Sequence, residues 1–228
     1  MRSTRTLLFF GLLGLLMAAT ARAAAPAAPA TEPALNQALA IYQRGDLAGA
    51  RQAFERLAAL GVPAADYNLA VMHLRAELQP ASTAEAVRLM ERAASRGFVT
   101  AMVGLAQLHE RGEIDGRRDL PTAMAWYRRA AEAGSVEAQV EIGTAHYLGR
   151  GAVKDAAQAA HWYREAAKRG EVGAMYLIAS MYEQGDGVER DLRLARYWYA
   201  QCAAQGDVAA PGKLKEMDAR LAADGGPQ

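Results

Sequence analysis

Between residues 138 and 148, Ala138, Ile142, Ala145 and His146 fall at i, i+4, i+7 and i+8, the apolar stripe of an amphipathic helix. Gly149 and Gly151 interrupt that stripe, because glycine supports the left-handed backbone that ends a helix. Asp155 can then accept from free amides of a new first turn, and a second helical pattern runs from there to Gly170. The pattern predicts a helical hairpin, and it recurs. Trp126, Trp162 and Trp198 stand at a strict period of 36 inside AWYRRAAEAG, HWYREAAKRG and YWYAQCAAQG. Weaker copies run from Leu89 to Gly97 and from Ala53 to Gly61, so the closing glycines lie at 61, 97, 134, 170 and 206. The predicted caps keep the same register: Asp46, Ser82, Asp119, Asp155 and Asp191 each precede the Trp-equivalent position by seven residues. Ser82 with Glu85 has the spacing of a capping box, and Pro121 falls in a first turn, where its missing amide costs little.

A two-helix unit cannot bury its apolar face alone and must stack on its neighbours. The expected fold is therefore all-α, an α/α superhelical solenoid of stacked antiparallel helix pairs with a period of about 36 residues. A short unit spans 35–61, and further units span 62–97, 98–134, 135–170 and 171–206. Leu214, Met217 and Leu221 share one face of a capping helix over 213–221, suited to covering the last unit, and 223–228 is expected to be a disordered tail. The repeat domain as a whole covers 34–222. Trp and the adjoining Tyr127, Tyr163 and Tyr199 are expected to anchor the units, while Ala130-Ala131, Ala166-Ala167 and Cys202-Ala203 let backbones approach.

The unit from Ala174 reads A-x3-I-A-x-M-Y-x2-G-x-G-V-x2-D-x3-A-x2-W-Y-x2-C-A-x2-G. In this it resembles the Sel-one-like repeats, a branch of the tetratricopeptide-like helical solenoids. Three positions depart from the pattern. Ala152 replaces the valine of the G-x-G-V turn, the 98–134 unit carries an extra loop residue in GEIDGRRD, and Ala76 replaces a helix-ending glycine. The resemblance implies an adaptor of the kind that serves envelope assembly, polysaccharide export or signalling. It also raises β-lactam binding or hydrolysis, described for disulfide-rich relatives.

Residues 1–23 change the setting. Arg2 and Arg5 precede eleven apolar positions, Leu7 to Met17, and Ala21-Arg22-Ala23 has the small-x-small form of a cleavage site. Eleven helical residues rise about 16 Å against a hydrocarbon core of about 30 Å, so a cleaved signal peptide is expected rather than stable membrane insertion. No lipid-accepting cysteine follows, which points to a periplasmic or secreted product, with 24–33 (AAPAAPATEP) as a flexible Ala/Pro-rich tail. Net charge is +1, and removal of Arg2, Arg5 and Arg22 leaves 23 basic against 25 acidic residues. That balance argues against nucleic acid, whose binders gain affinity through phosphate neutralisation.

Candidate chemistry is sparse. His73, His109 and His146 share one register position, where the last unit has Tyr182, and equivalent residues on stacked helices lie about 8 to 10 Å apart. A structural role is expected for them, with no metal or cofactor. The lone Cys202 aligns with Ala130 and Ala166 and reads as a small buried side chain. The chain contains no Ser-x-x-Lys, Lys-Thr-Gly or Gly-x-Ser-x-Gly, so no catalytic residues are assigned and no enzyme is expected.

The first helices are more informative. With the opening alanine of each unit as zero, positions +2, +6 and +9 lie opposite the core stripe. They are Tyr67, Val71 and Leu74; Val103, Gln107 and Glu110; Val140, Thr144 and Tyr147; and Tyr176, Ser180 and Glu183. Seven of these twelve are apolar or aromatic, which marks them as a candidate face for an unidentified protein or peptide of the cell envelope. A cell-wall or glycan partner stacking on the tyrosines is the alternative, and a β-lactamase-like hydrolase a more distant one.

Overall fold

The computed structural model describes residues 31–224, which form eleven helices. An N-terminal unit ends at Phe98 and a C-terminal unit begins at Val99. The first contains α1 (Thr31–Gln43), α2 (Leu47–Ala59), α3 (Pro63–Leu74) and α4 (Thr83–Ser95). The second contains α5 (Val99–Arg111), α6 (Leu120–Glu132), α7 (Val136–Leu148), α8 (Ala156–Lys168), α9 (Val172–Gln184), α10 (Leu192–Ala204) and α11 (Ala210–Asp224). Odd and even helices pair as hairpins, and α11 packs on α10. The all-α repeat expected from the sequence is the fold observed. Among the described residues no helix is long and apolar enough to cross a membrane.

Every predicted second-helix cap is made. Asp46, Ser82, Asp119, Asp155 and Asp191 accept from the amides of Gly49, Glu85, Thr122, Gln158 and Leu194 at 2.9 to 3.1 Å. The capping box at Ser82 is engaged differently from expectation. The Glu85 carboxylate bonds the Arg88 guanidinium at 2.6 and 2.8 Å, because the cation one turn on is a stronger partner than a neutral amide. Boundaries also move at both ends. Thr31 to Pro33, assigned to the tail, form the start of α1, where a proline lacks no needed amide. The capping helix is longer than 213–221: it begins at Ala210, because Asp207 accepts from the amides of Ala209 and Ala210 and holds its first turn, and it runs to Asp224, taking in the first two residues assigned to the tail. The signal segment and residues 24–30 lie outside the described residues.

Packing follows the predicted register. Tyr127, Tyr163 and Tyr199 are buried, as are Phe54 and Met90 at the same place in the weaker units, whereas the three tryptophans are only half-buried. The tyrosines are thus the core anchors, and Trp126 lies under the Arg129 guanidinium at 4.3 Å. Ala130, Ala131, Ala166, Ala167 and Cys202 are buried, as close helix approach requires. Within the C-terminal unit the second glycine of each G-x-G turn sits on the start of a preceding second helix: Gly151 on Leu120, and Gly187 on Ala156. Ala76 holds the left-handed conformation that glycine holds elsewhere, with φ of 56°, against 72° at Gly149 and 76° at Gly185. A side chain in that region costs about 1 kcal/mol or more, so the substitution visible in the sequence leaves local strain.

Candidate functional site

The twelve candidate positions do not form one exposed row. In the N-terminal unit Tyr67 and Val71 are buried and Leu74 half-buried, since nearly all of α3 is enclosed and the Tyr67 ring packs 5.4 Å from Phe98. In the C-terminal unit Val103 and Glu183 are buried, while Gln107, Glu110, Val140, Thr144, Tyr176 and Ser180 are half-buried. Tyr147 is the most open of the set, 37% exposed. Tyr67, Val71, Val103 and Glu183 are therefore corrected from contact residues to packing residues. Each first helix is covered on more sides than a single apolar stripe reveals, so a position opposite that stripe still meets neighbours.

Positions +6 and +9 have a role that periodicity alone did not reveal: they receive the hydroxyl of the buried tyrosine in the same hairpin. Tyr127 donates to Glu110 at 3.0 Å and Tyr199 donates to Glu183 at 2.9 Å. Where +9 is Tyr147, Tyr163 instead meets the Thr144 hydroxyl at 3.0 Å. A buried tyrosine needs such a partner for its polar tip. The signal was present in the sequence as an alternation, Glu at +9 or Thr at +6, beside an unchanging tyrosine.

The acids at +9 also join successive elements. Arg150 reaches Glu110 at 3.4 Å and Glu141 at 3.3 Å, and Gln107 donates to Glu137 at 2.8 Å. Burial, then the Glu110 carboxylate, raises the Glu141 carboxyl above its ordinary range, with Arg150 opposing. At α11, Lys213 and Arg220 reach Glu183 at 3.2 and 2.9 Å, so the terminal helix is held by the acid at the register position that Glu110 occupies two units earlier. Burial pushes the Glu183 carboxyl up, but the Tyr199 hydroxyl and the two cations outweigh it and hold the pKa below the usual glutamate range. A carboxylate depressed in this way adds stability that is complete above its unfolded pKa and is lost as pH falls through the folded value. The protection of α11 amides, relative to their intrinsic exchange rates at each pH, is accordingly expected to fall below about pH 4. In Glu183→Gln that acid dependence should be absent, and equal dependence in both proteins would show that another group controls docking.

The remaining candidates are structural. The His146 Nδ1 lies 3.1 Å from the Val153 carbonyl, and the His109 Nδ1 is 3.9 Å from Asp119. Burial, then Asp207, pushes the Cys202 thiol up to about 11, far from thiolate chemistry at neutral pH. Among the described residues no group of three or more His, Cys, Asp or Glu side chains is placed to hold a metal ion.

Of the candidate positions, those that keep some exposure on the C-terminal unit include a half-apolar set on successive first helices: Val140, Thr144 and Tyr147 on α7, Tyr176 and Ser180 on α9. Glu137, Glu141, Glu110 and Arg150 lie beside the α7 part, with more negative than positive charge. Such a surface can take an apolar side chain and a nearby polar or cationic group.

No curated protein sequence matches the chain. Among solved structures, it is similar to a protective antigen of uropathogenic Escherichia coli strains that displays an SLR fold, at 30% identity and a TM-score of 0.69. The similarity covers 82% of this chain but 41% of the antigen. A Sel1 repeat protein from Oxalobacter formigenes is similar at 29% identity and a TM-score of 0.63, over 78% of this chain and 75% of that one. The Sel1 repeat pattern itself matches residues 63–98, 99–135, 136–171 and 172–207, within a residue of the units set by the closing glycines, and the chain belongs to the Sel1 repeat family.

Proposed function

We propose that this chain is an exported, non-catalytic scaffold that holds a protein segment against the α7 and α9 face of its C-terminal unit. Sel1 repeat proteins commonly mediate protein–protein interaction. The observation that carries the proposal is the set of partly accessible side chains on these two helices, Tyr147 at 37% exposure with half-buried Val140, Thr144, Tyr176 and Ser180. Aromatic rings with a polar tip supply contact area at low entropy cost, which suits a protein partner. Export rests on the charge, apolar run and small-residue site of residues 1–23.

The test is capture of envelope proteins by three forms of equal helicity: the natural chain, Tyr147→Ser with Tyr176→Ser, and Tyr197→Ser on the exposed side of α10. A specific partner is expected to stay with the first and third and to weaken at least about tenfold with the double variant. Equal retention by all three would remove the face from binding. N-terminal sequencing of the exported product should begin near Ala24, and an intact Met1 would remove cleavage.

A further inference from the structure

One return loop is built differently from the rest, and a cavity opens beside it. His73 holds the register position of His109, His146 and Tyr182. In the C-terminal unit that position is closed by its own loop: the amides of Asp119, Asp155 and Asp191 donate to the carbonyls of His109, His146 and Tyr182 at 2.9 Å. The His146 Nδ1 further meets the Val153 carbonyl at 3.1 Å, although its Nε2 is buried without a hydrogen-bond partner among the described residues. In the N-terminal unit Pro80 stands where Val153 does, and the Glu77 carboxylate is turned towards the Tyr42 hydroxyl, 2.8 and 2.9 Å away. The His73 Nδ1 is consequently buried with no hydrogen-bond partner among the described residues. Buried ring nitrogens are normally paired, so this one is a group that a ligand can satisfy.

His73 forms part of the wall of a cavity of about 520 Å³ between α2, α3, α4 and the 78–82 connection. That volume is in the range of small-ligand sites. Leu69, Leu78 and Leu89 supply apolar lining, Arg51, Arg88 and Arg92 supply cations, and Glu55 and Glu85 lie in the same wall. Arg92 is committed to the buried Asp66 carboxylate. Arg51 and Arg88 instead pair with Glu55 at 2.7 Å and Glu85 at 2.6 Å, one turn away on their own helices, in pairs whose side chains are 35% to 59% exposed. Pairs of that kind contribute about 0 to 1 kcal/mol, so either guanidinium can exchange its partner for an arriving carboxylate at little cost.

We infer that this cavity binds a carboxylate carried on an apolar group, with the apolar part against the leucines and the carboxylate between Arg51, Arg88 and the His73 ring. Two sources present that chemistry: a peptide C-terminus ending in a leucine-like residue, and a free medium-chain fatty acid. The site is independent of the α7 and α9 face.

The experiment is an NMR titration of the purified chain, following the His73 ring signals, which are identified by their loss in His73→Gln. The probes are N-acetyl-Gly-Leu as the free acid, the same dipeptide as its C-terminal amide, and octanoate. Saturable shifts with a free acid are expected, with the amide at least about tenfold weaker and Arg51→Gln with Arg88→Gln weakening the acid similarly. Saturation by the dipeptide acid alone assigns a peptide source; saturation by octanoate alone assigns a fatty acid. Equal binding of acid and amide, unchanged affinity in the arginine variant, or no saturation by either acid up to about 10 mM would overturn the assignment. The amide comparison uses the unmodified protein, so it stands even if a variant folds poorly.

Discussion

Asp66→Asn is expected to destabilise the N-terminal unit by about 3 kcal/mol. Asp66 is fully buried, yet it is met by two guanidinium groups: Arg92 of α4, bonded through Nε at 2.9 Å, and Arg96, just past the end of α4, at 2.8 Å. Asparagine preserves the volume and removes the charge, leaving two cations facing a neutral amide. The arginines are 35% and 39% exposed and can turn partly into water, which keeps the loss at the lower end of that for a broken buried pair. Urea unfolding followed by helicity measures it. Arg51→Gln, which breaks an exposed pair on α2, should cost under about 1 kcal/mol in the same assay. Similar losses in the two variants would show that the α3 to α4 pairing does not hold the unit.

Gly187→Ala should cost about 3 kcal/mol in the C-terminal unit, through two additive effects. Its φ of 69° disfavours any side chain, and a Cβ there would stand 2.2 Å from the Ala156 carbonyl carbon and oxygen. Backbone cannot yield as a flexible side chain can, so the turn must separate from the start of α8. Gly170→Ala is the matched control. Gly170 has φ of 94° but nothing within 4 Å of the added carbon, so it carries the conformational cost alone, about 1 kcal/mol. Thermal unfolding should therefore place Gly187→Ala several degrees below Gly170→Ala. Coincident curves would mean that the close approach contributes nothing to stacking.

Much of this molecule was legible as local periodicity. The hairpins, their caps and their glycine endings are set by residues within a few positions of one another, and the period of 36 repeats that local information until it is unmistakable. The same is true of the strained Ala76 and of the small residues at 130–131 and 166–167. The candidate face was less legible, because a helical wheel shows which side of one helix differs from another but not how many neighbours surround it. Tyr67 and Val71 therefore looked available although α3 is enclosed, whereas Tyr147 and Tyr176 retain exposure.

The sequence by itself determined an all-α repeat, its register and the positions of its turns, since helix propensity, capping and apolar spacing act over short distances along the chain. Only the tertiary structure decided which charges are buried and what they meet. Arg92 and Arg96 are 26 and 30 residues from Asp66, and Tyr127 is 17 from Glu110. The cost of removing a charge or hydroxyl from water depends on the groups that surround it in space. That same dependence left the His73 ring nitrogen without a partner where its relative at His146 found a carbonyl: the helices repeat, but the loop that should return over the ring does not.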